Sequence, residues 1–333
     1  MPALFLSLLL LAQAGQAEDF TLGVDPRVEL LSMVQALATG KARPRYGAEA
    51  AARFKPWEDH AAVRRYARWQ AKGVPGMSVM ELMLRLSPPP ELAARGLDAG
   101  GFTGRLGGPE EVESFLRELR EFSARAGFPA FHARRRRRHD ALVSAARAEL
   151  SLGVDPRAMS AYLGGSFPEK LTILIAPHFD GGRYRMAMFS SSGTIVEARF
   201  RSRSGSFRLG DFGSSVAHEL AHGVTRPLAR RYAGEVEGFA GPPPKGCNSM
   251  TQLGWESCLD EHVVRAVESR LSSAGRREPP DDLERARYPF EPVLVEKLRQ
   301  YEAQRARYPA LADFYPELIT ALRSAARGPA KPR

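Results

Sequence analysis

The chain of 333 residues carries a net charge of +10, with 44% hydrophobic and 26% charged residues. This length is enough for one large globular domain or two modest ones. Most basic residues are arginines spread along the whole chain, and no aromatic residue interrupts the run Arg134–Arg138. We therefore interpret this run as a solvated turn or helix start and expect no nucleic-acid partner.

The chain begins with an apolar run, Met1–Ala12, that is too short to span a bilayer as a helix. The small residues that follow, up to Ala17, have the spacing that precedes signal-peptide cleavage. We interpret residues 1–17 as a signal peptide and expect an exported protein, either periplasmic or secreted. Because the leader lacks Lys and Arg, a buried N-terminal helix and a wrongly assigned start codon are the alternatives. No other segment is apolar enough to predict a transmembrane helix.

The next part of the chain is mainly helical, up to about residue 160. The hexapeptide Leu22–Arg27 recurs as Leu152–Arg157. In each copy the Asp predicts a helix cap and the Pro predicts the first helical residue. Because the similarity ends within a few residues, we interpret the repeat as a shared capping solution and not as a duplicated domain.

A change from helical to strand patterns follows. Strands are predicted at Leu171–Ile175, Tyr184–Phe189 and Thr194–Phe200, with turns at Asp180–Gly182 and Ser191–Gly193. We expect a small antiparallel sheet directly before the next helix. The edge of such a sheet can hold an extended peptide by strand addition.

The next helix contains an HExxH motif formed by His218, Glu219 and His222. Histidines at positions i and i+4 of a helix project from one face and meet a single zinc at about 2.0–2.1 Å each. Glu219 is then placed to take a proton from a zinc-activated water. It is the only charged residue from Val216 to Val224, which favours a metal site over an exposed helix.

A third protein ligand is needed. Thr225 and Leu228 stand where the pattern HExxHxxGxxH requires Gly and His, so that arrangement is excluded. After a loop over residues 238–254, a helix predicted from about Trp255 to Leu271 offers two carboxylates, Glu256 and Glu261.

Helical phase favours Glu256 as the third ligand. It shares an apolar stripe with Leu259, Val263 and Val267. Asp260, one turn later, would then be a partner for a ligand histidine.

Several other residues have suitable chemistry for a role at the site. Cys247 and Cys258 leave three arrangements open: a disulfide that braces the loop, two buried thiols, or Cys258 near the metal. A donor to the oxyanion would come from His178, Tyr184, Tyr232, His262 or Arg265. Arg265 would alternatively pair with Glu261, one turn earlier. We expect no catalytic role for His60, His132 and His139.

The segment Asp260–Ala266 resembles the glutamate-containing helix of an uncharacterised bacterial family, the domain of unknown function 4932, which itself resembles gluzincin zinc metallopeptidases. Asp25–Leu31, and Phe54–Trp57 followed by His60, also resemble that family, so the resemblance spans most of residues 20–275. It favours Glu261 over Glu256. The resemblance implies a site with one zinc per chain, the ligands His218, His222 and Glu261, and Glu219 as the general base.

These observations predict an α+β, zincin-like domain over residues 18–327. It would be mainly helical, with a helical N-terminal part (about 18–160), a sheet with active-site helices (about 165–275) and a C-terminal helical part (about 288–327). The expected function is hydrolysis of peptide bonds in a peptide or protein substrate. A non-catalytic zincin-fold scaffold and a zinc hydrolase of non-peptide amides are the alternatives.

Overall fold

The computed structural model describes residues 20–40, 48–94, 97, 103–152, 156–164, 171–176, 186–190, 193–198, 212–245, 247, 254–271 and 282–327. The predicted signal peptide over residues 1–17 lies outside these residues. So do Asp155, His178 and Tyr184, and the turn residues 180–182 and 191–192.

The described residues are mostly helical with a small sheet that precedes the HExxH helix, as predicted. The elements in chain order are β1 (Phe20–Gly23), α1 (Pro26–Thr39), α2 (Ala48–Phe54), α3 (Ala61–Ala71), α4 (Gly76–Leu84), α5 (Pro109–Arg125), α6 (Phe128–Arg134), α7 (Arg136–Leu152), α8 (Pro156–Leu163), β2 (Leu171–Ile175), β3 (Met186–Ser190), β4 (Gly193–Ala198), α9 (Phe212–Ala240), α10 (Trp255–Leu271), α11 (Asp282–Arg287), α12 (Glu291–Ala303) and α13 (Leu311–Ala326). None of the described helices is both long and apolar enough to cross a membrane.

The first hydrophobic core is built around α1, which begins where the sequence predicts. Asp25 accepts a hydrogen bond from the backbone N–H of Arg27 at 2.8 Å, and Pro26 is the first helical residue. Every residue from Val28 to Gln35 is buried, so this helix is enclosed on all sides. Helices α2 to α6 complete the core with large buried side chains such as Trp69.

The sheet is mixed, with the strand order β1-β2-β4-β3. Strand β2 pairs in parallel with both β1 and β4, whereas β3 and β4 pair antiparallel. The predicted antiparallel sheet is therefore wrong for both pairings of β2. One reason is that β1, a strand that the sequence analysis does not predict, joins β2 through a long crossover that contains α1 to α8. The other reason is that β3 takes the outer side of β4 and leaves β4 next to β2.

The second hydrophobic core lies among α8, α9, α10, α12 and α13. Helix α10 has the predicted bounds, and the C-terminal helical part predicted over about 288–327 consists of α12 and α13, with the short helix α11 just before it. Helix α9 continues through Pro227 and ends at Ala240, so the loop that follows begins slightly later than predicted. The side chains Val263 and Val267 of α10 are fully buried in this core.

Helices α9 and α10 pack side by side in opposite directions. Arg230, late in α9, pairs with Glu256 at the start of α10. His218, early in α9, lies next to Glu268 near the end of α10. The HExxH face of α9 therefore packs against the middle of α10, from Asp260 to Glu268.

The cap of α1 can be tested through its stability effect. Asp25 binds the backbone N–H of Arg27 and also the Arg27 guanidinium, which in turn donates to the carbonyl oxygens of Leu84 and Leu86. We expect Asp25→Ala to lower the free energy of unfolding by about 1–2 kcal/mol, because the cap is lost. Asp25→Asn keeps a capping oxygen and should cost clearly less. Denaturant unfolding measures both, and equal stability of Asp25→Ala and wild type would contradict the assignment.

Candidate metal centre

The HExxH motif lies on a buried face of α9. His218, Glu219 and His222 are all less than a tenth exposed. The two imidazole rings have their centroids 5.0 Å apart and are nearly perpendicular to each other. One turn of helix therefore presents two imidazoles to the same space, as the i, i+4 spacing predicts.

Glu261 of α10 completes a group of three possible metal ligands. Its carboxylate oxygens lie 3.8 Å from Nε2 of His218 and 3.7 Å from Nε2 of His222. Two atoms that each bind one zinc at about 2.0–2.1 Å lie at most about 4 Å apart. Both distances are within that limit, and two imidazoles with one carboxylate are a donor set that suits zinc. The residues present thus fit the metal that the sequence predicts.

Glu256, the other carboxylate that the sequence leaves open, lies elsewhere. It pairs with Arg230 at 2.9 Å. Because α9 and α10 are antiparallel, Glu256 stands level with Arg230, two helical turns beyond His222. Its place on the apolar stripe of α10 orients it towards α9, but at the level of Arg230 and not of the two histidines. Helical phase alone is therefore misleading here.

Asp260 is a buried hydrogen-bond partner of His222, the role that the sequence analysis suggests for it. Its Oδ2 lies 2.9 Å from Nδ1 of His222, and the side chain is 1% exposed. Oδ1 accepts a 2.6 Å hydrogen bond from the Thr225 hydroxyl, and Nε of Arg226 donates to Oδ2 at 2.9 Å. Asp260 therefore joins α10 to three residues of α9.

The pKa shifts of this pair follow from its contacts. Burial acts to lower the pKa of His222, but the hydrogen bond and charge of Asp260, with the charges of Glu261 and Glu219, outweigh burial and raise it. Burial acts to raise the pKa of Asp260, but its contacts with His222, Thr225 and Arg226 lower it. The contacts thus favour a protonated His222 beside an ionised Asp260.

His218 has a carboxylate partner that the sequence analysis does not identify. Oε2 of Glu268 lies 3.2 Å from Nδ1 of His218, and both side chains are buried. Glu268 follows Glu261 by seven residues on α10, which places the two on one helical face. That spacing is a signal that could have found Glu268, once Glu261 was chosen as the ligand.

Arg265 lies beside Glu261, as one of its two expected roles requires. Its Nε is 3.6 Å from Oε2 of Glu261, and its guanidinium stands 4.0 Å from the ring centroid of Tyr288. Burial, and then the charge of Glu261, raise the pKa of Tyr288. Tyr288 is a neighbour of the site that the sequence analysis misses.

The other predicted oxyanion donors among the described residues lie in packing positions. His262 is buried among aromatic rings, its Nδ1 lies 2.8 Å from the carbonyl oxygen of Cys258, and burial lowers its pKa to about 4. Tyr232 stacks on Tyr315 in the second core. The proposed donors His178 and Tyr184 lie outside the described residues.

The three histidines for which no catalytic role is expected lie outside α9 and have contacts of their own. His60 caps α3, where its Nδ1 accepts a hydrogen bond from the backbone N–H of Ala62. His132 and His139 stand against each other near the junction of α6 and α7, with ring centroids 4.7 Å apart.

Cys247 and Cys258 form a disulfide, which decides among the three arrangements that the sequence leaves open. Their Cα atoms are 5.3 Å apart. Cys258 lies one helical turn before Glu261, so the disulfide ties the loop between α9 and α10 to the part of α10 that carries the third candidate ligand.

Comparison with known proteins gives one family. The profile of a family described as Domain of unknown function (DUF4932) matches residues 68–321, and the chain belongs to this family. The matched range contains α9 and α10 but begins after two of the segments on which the resemblance rests, Asp25–Leu31 and Phe54–Trp57. No curated protein and no solved structure matches the chain.

The choice of the third ligand can be tested by two matched substitutions on α10. Glu261→Gln removes a negative charge from the ligand set, and we expect it to weaken zinc binding by more than about 100-fold. Glu256→Gln makes the same change at a carboxylate paired with Arg230, and its zinc affinity should stay near wild type. Competition with a chelator measures both affinities. The reverse order would show that Glu256 is the ligand.

Proposed function

We propose that this protein is a zinc-dependent metallopeptidase of the gluzincin type with a zincin-like fold. The observation that carries the proposal is the position of Glu261 within 3.8 Å of Nε2 of His218 and 3.7 Å of Nε2 of His222. The HExxH motif supplies two ligands and a carboxylate for proton transfer, and the separate helix α10 supplies the third ligand.

The proposed role of each residue follows from the atoms that it can offer to a metal. His218 and His222 would hold zinc through Nε2, and Glu261 would hold it through its carboxylate. When bound, zinc would supply a Lewis acid that polarises the scissile carbonyl and lowers the pKa of a water towards about 7.

Glu219 is the proposed general base. Asp260 and Glu268 are engaged at the Nδ1 atoms of the histidines, and Glu261 belongs to the ligand set. The charge of Glu219 contributes to the raised pKa of His222, so its carboxylate is close to the same space. It would accept the proton of the attacking water and then deliver it to the leaving amine as the peptide bond breaks.

An extended peptide or protein segment is the proposed substrate. Strand β3 has β4 on one side, and no other described strand lies on its second side. It belongs to the sheet that directly precedes α9, and both β3 and β4 contact that helix. An edge of the described sheet that contacts the helix with the HExxH motif is suited to bind a peptide backbone by strand addition.

Export is part of the proposal. The apolar leader over residues 1–17 with its small-residue cleavage pattern motivates it. The disulfide between Cys247 and Cys258 supports it, because such bonds persist mainly in oxidising compartments.

The metal site is tested first by its content of zinc. Purified protein should hold about one zinc per chain, and His218→Ala or His222→Ala should lower the affinity by more than the roughly 10–100-fold loss typical of an outer-shell defect. Each change leaves two protein ligands. His132→Ala, on α6, is the control and should keep the zinc. Elemental analysis and chelator competition measure the effect. Full retention of zinc in both site variants would contradict the proposed metal centre.

The catalytic role is tested at the base. Glu219→Gln keeps the size and polarity of the side chain but removes its basicity, so peptidase activity should fall by about 10²–10⁴-fold. Zinc content and melting temperature should stay near wild type. Glu237→Gln makes the same change at an exposed position of the same helix and should retain full activity.

The alternatives correspond to other outcomes of this experiment. Wild-type protein that binds zinc but cleaves neither casein nor a peptide library, and no other amide, would be a zincin-fold scaffold. Cleavage of small amides with no cleavage of peptides would identify a zinc hydrolase of non-peptide amides. Unchanged turnover in Glu219→Gln would exclude the proposed mechanism.

A further inference from the structure

Each histidine of the candidate metal centre has a carboxylate behind it. Asp260 lies 2.9 Å from Nδ1 of His222, and Glu268 lies 3.2 Å from Nδ1 of His218. Both carboxylates come from α10, one immediately before Glu261 and one two turns after it. Both are buried, so neither is a surface charge that happens to be near a ring.

The chemistry of these contacts determines where the ring protons reside. An ionised carboxylate accepts hydrogen bonds and donates none, so a neutral imidazole that bonds to it must carry its proton on Nδ1. The lone pair is then on Nε2. In both rings Nε2 is the atom that faces Glu261, at 3.8 Å from His218 and 3.7 Å from His222.

We propose that Asp260 and Glu268 are positioning residues that hold both imidazoles as the Nδ1–H tautomer, each acting on its own histidine. The inference rests on the proposed metal site but not on peptidase activity. Both rings then present their lone pairs to one point without a proton transfer or a ring rotation. Outer-sphere carboxylates of this kind also raise the basicity of a ligand imidazole.

The electrostatics argue against a purely structural purpose. Four buried or largely buried carboxylates, from Glu219, Asp260, Glu261 and Glu268, surround two histidines. Grouping like charges away from water costs stability, and a core built for stability alone would use apolar residues of similar volume. The arrangement is favourable when a dication is present to compensate the negative charge.

The two carboxylates are anchored differently. Asp260 is bonded to Thr225 and Arg226 of α9 in addition to His222. Asp260→Asn and Glu268→Gln are both nearly isosteric, but Asp260→Asn also changes the bonds to Thr225 and Arg226. In each variant the new amide both donates and accepts, so it no longer selects one tautomer.

The experiment is nitrogen-15 NMR of the metal-free full chain, at a pH high enough for both rings to be neutral. His218→Ala and His222→Ala assign the two ring signals. Wild type should show both rings as Nδ1–H. Glu268→Gln should populate the Nε2–H form of His218 and leave His222 unchanged. Asp260→Asn should populate the Nε2–H form of His222 and leave His218 unchanged. If Asp260→Asn does not fold, Glu268→Gln decides alone.

Zinc affinity gives the second readout. We expect Glu268→Gln and Asp260→Asn each to lower it by about 10–100-fold, with the melting temperature of the metal-free Glu268→Gln protein near wild type. Glu256→Gln, on the same helix, should change neither tautomers nor affinity. Nε2–H rings in wild type, or tautomers and affinity that Glu268→Gln leaves unchanged, would overturn the inference. Wild type that binds no zinc but has Nδ1–H rings would instead overturn the proposed function.

Discussion

The antiparallel contact between α9 and α10 is the constraint on which the candidate site depends. Its centre is the buried carboxylate of Asp260, which binds His222, Thr225 and Arg226 at 2.6–2.9 Å. These three residues lie within two turns of α9, so Asp260 fixes the height of one helix against the other. Once that height is set, Glu261 stands between the two histidines and Glu268 stands behind the first. A shift by one turn would exchange Glu261 for a residue without a metal-binding group, such as Arg265.

The same contact concentrates negative charge, which gives the site its chemical character. Glu219, Asp260, Glu261 and Glu268 gather around two imidazoles, and Arg226 and Arg265 supply the neighbouring positive charge. The raised pKa of His222 reports the balance, because three carboxylates outweigh burial there. A region that favours an extra proton on a buried histidine is one that favours positive charge in general.

The sequence predicts what depends on neighbours in the chain and fails where register between distant segments decides. Helix α10, the cap at Asp25 and the paired histidines follow from local spacing and are confirmed as structural features. Helical phase favours Glu256 over Glu261 because Glu256 lies on the apolar stripe of α10, but the antiparallel register places Glu256 beside Arg230 and Glu261 beside the two histidines. The parallel pairing of β2 with β1 is unreadable for the same reason, since Thr21 and Thr172, which share a hydrogen bond, are 151 positions apart. Glu268 is missed because its contact with His218 also depends on the register between α9 and α10.

The loop between α9 and α10 carries two links that help to fix the register of these helices. Its two ends are joined by the indole N–H of Trp255, which donates to the carbonyl oxygen of Gly241 at 2.5 Å. The disulfide between Cys247 and Cys258 closes a second, shorter loop onto the first turn of α10. The disulfide reduces the freedom of the unfolded chain. The hydrogen bond restrains the first turn of α10 against fraying. Because Glu261 lies one turn after Cys258, these links restrain the part of α10 that carries the proposed third ligand. The charge repulsion among the carboxylates is thus opposed by covalent and hydrogen-bonded restraint at the start of α10.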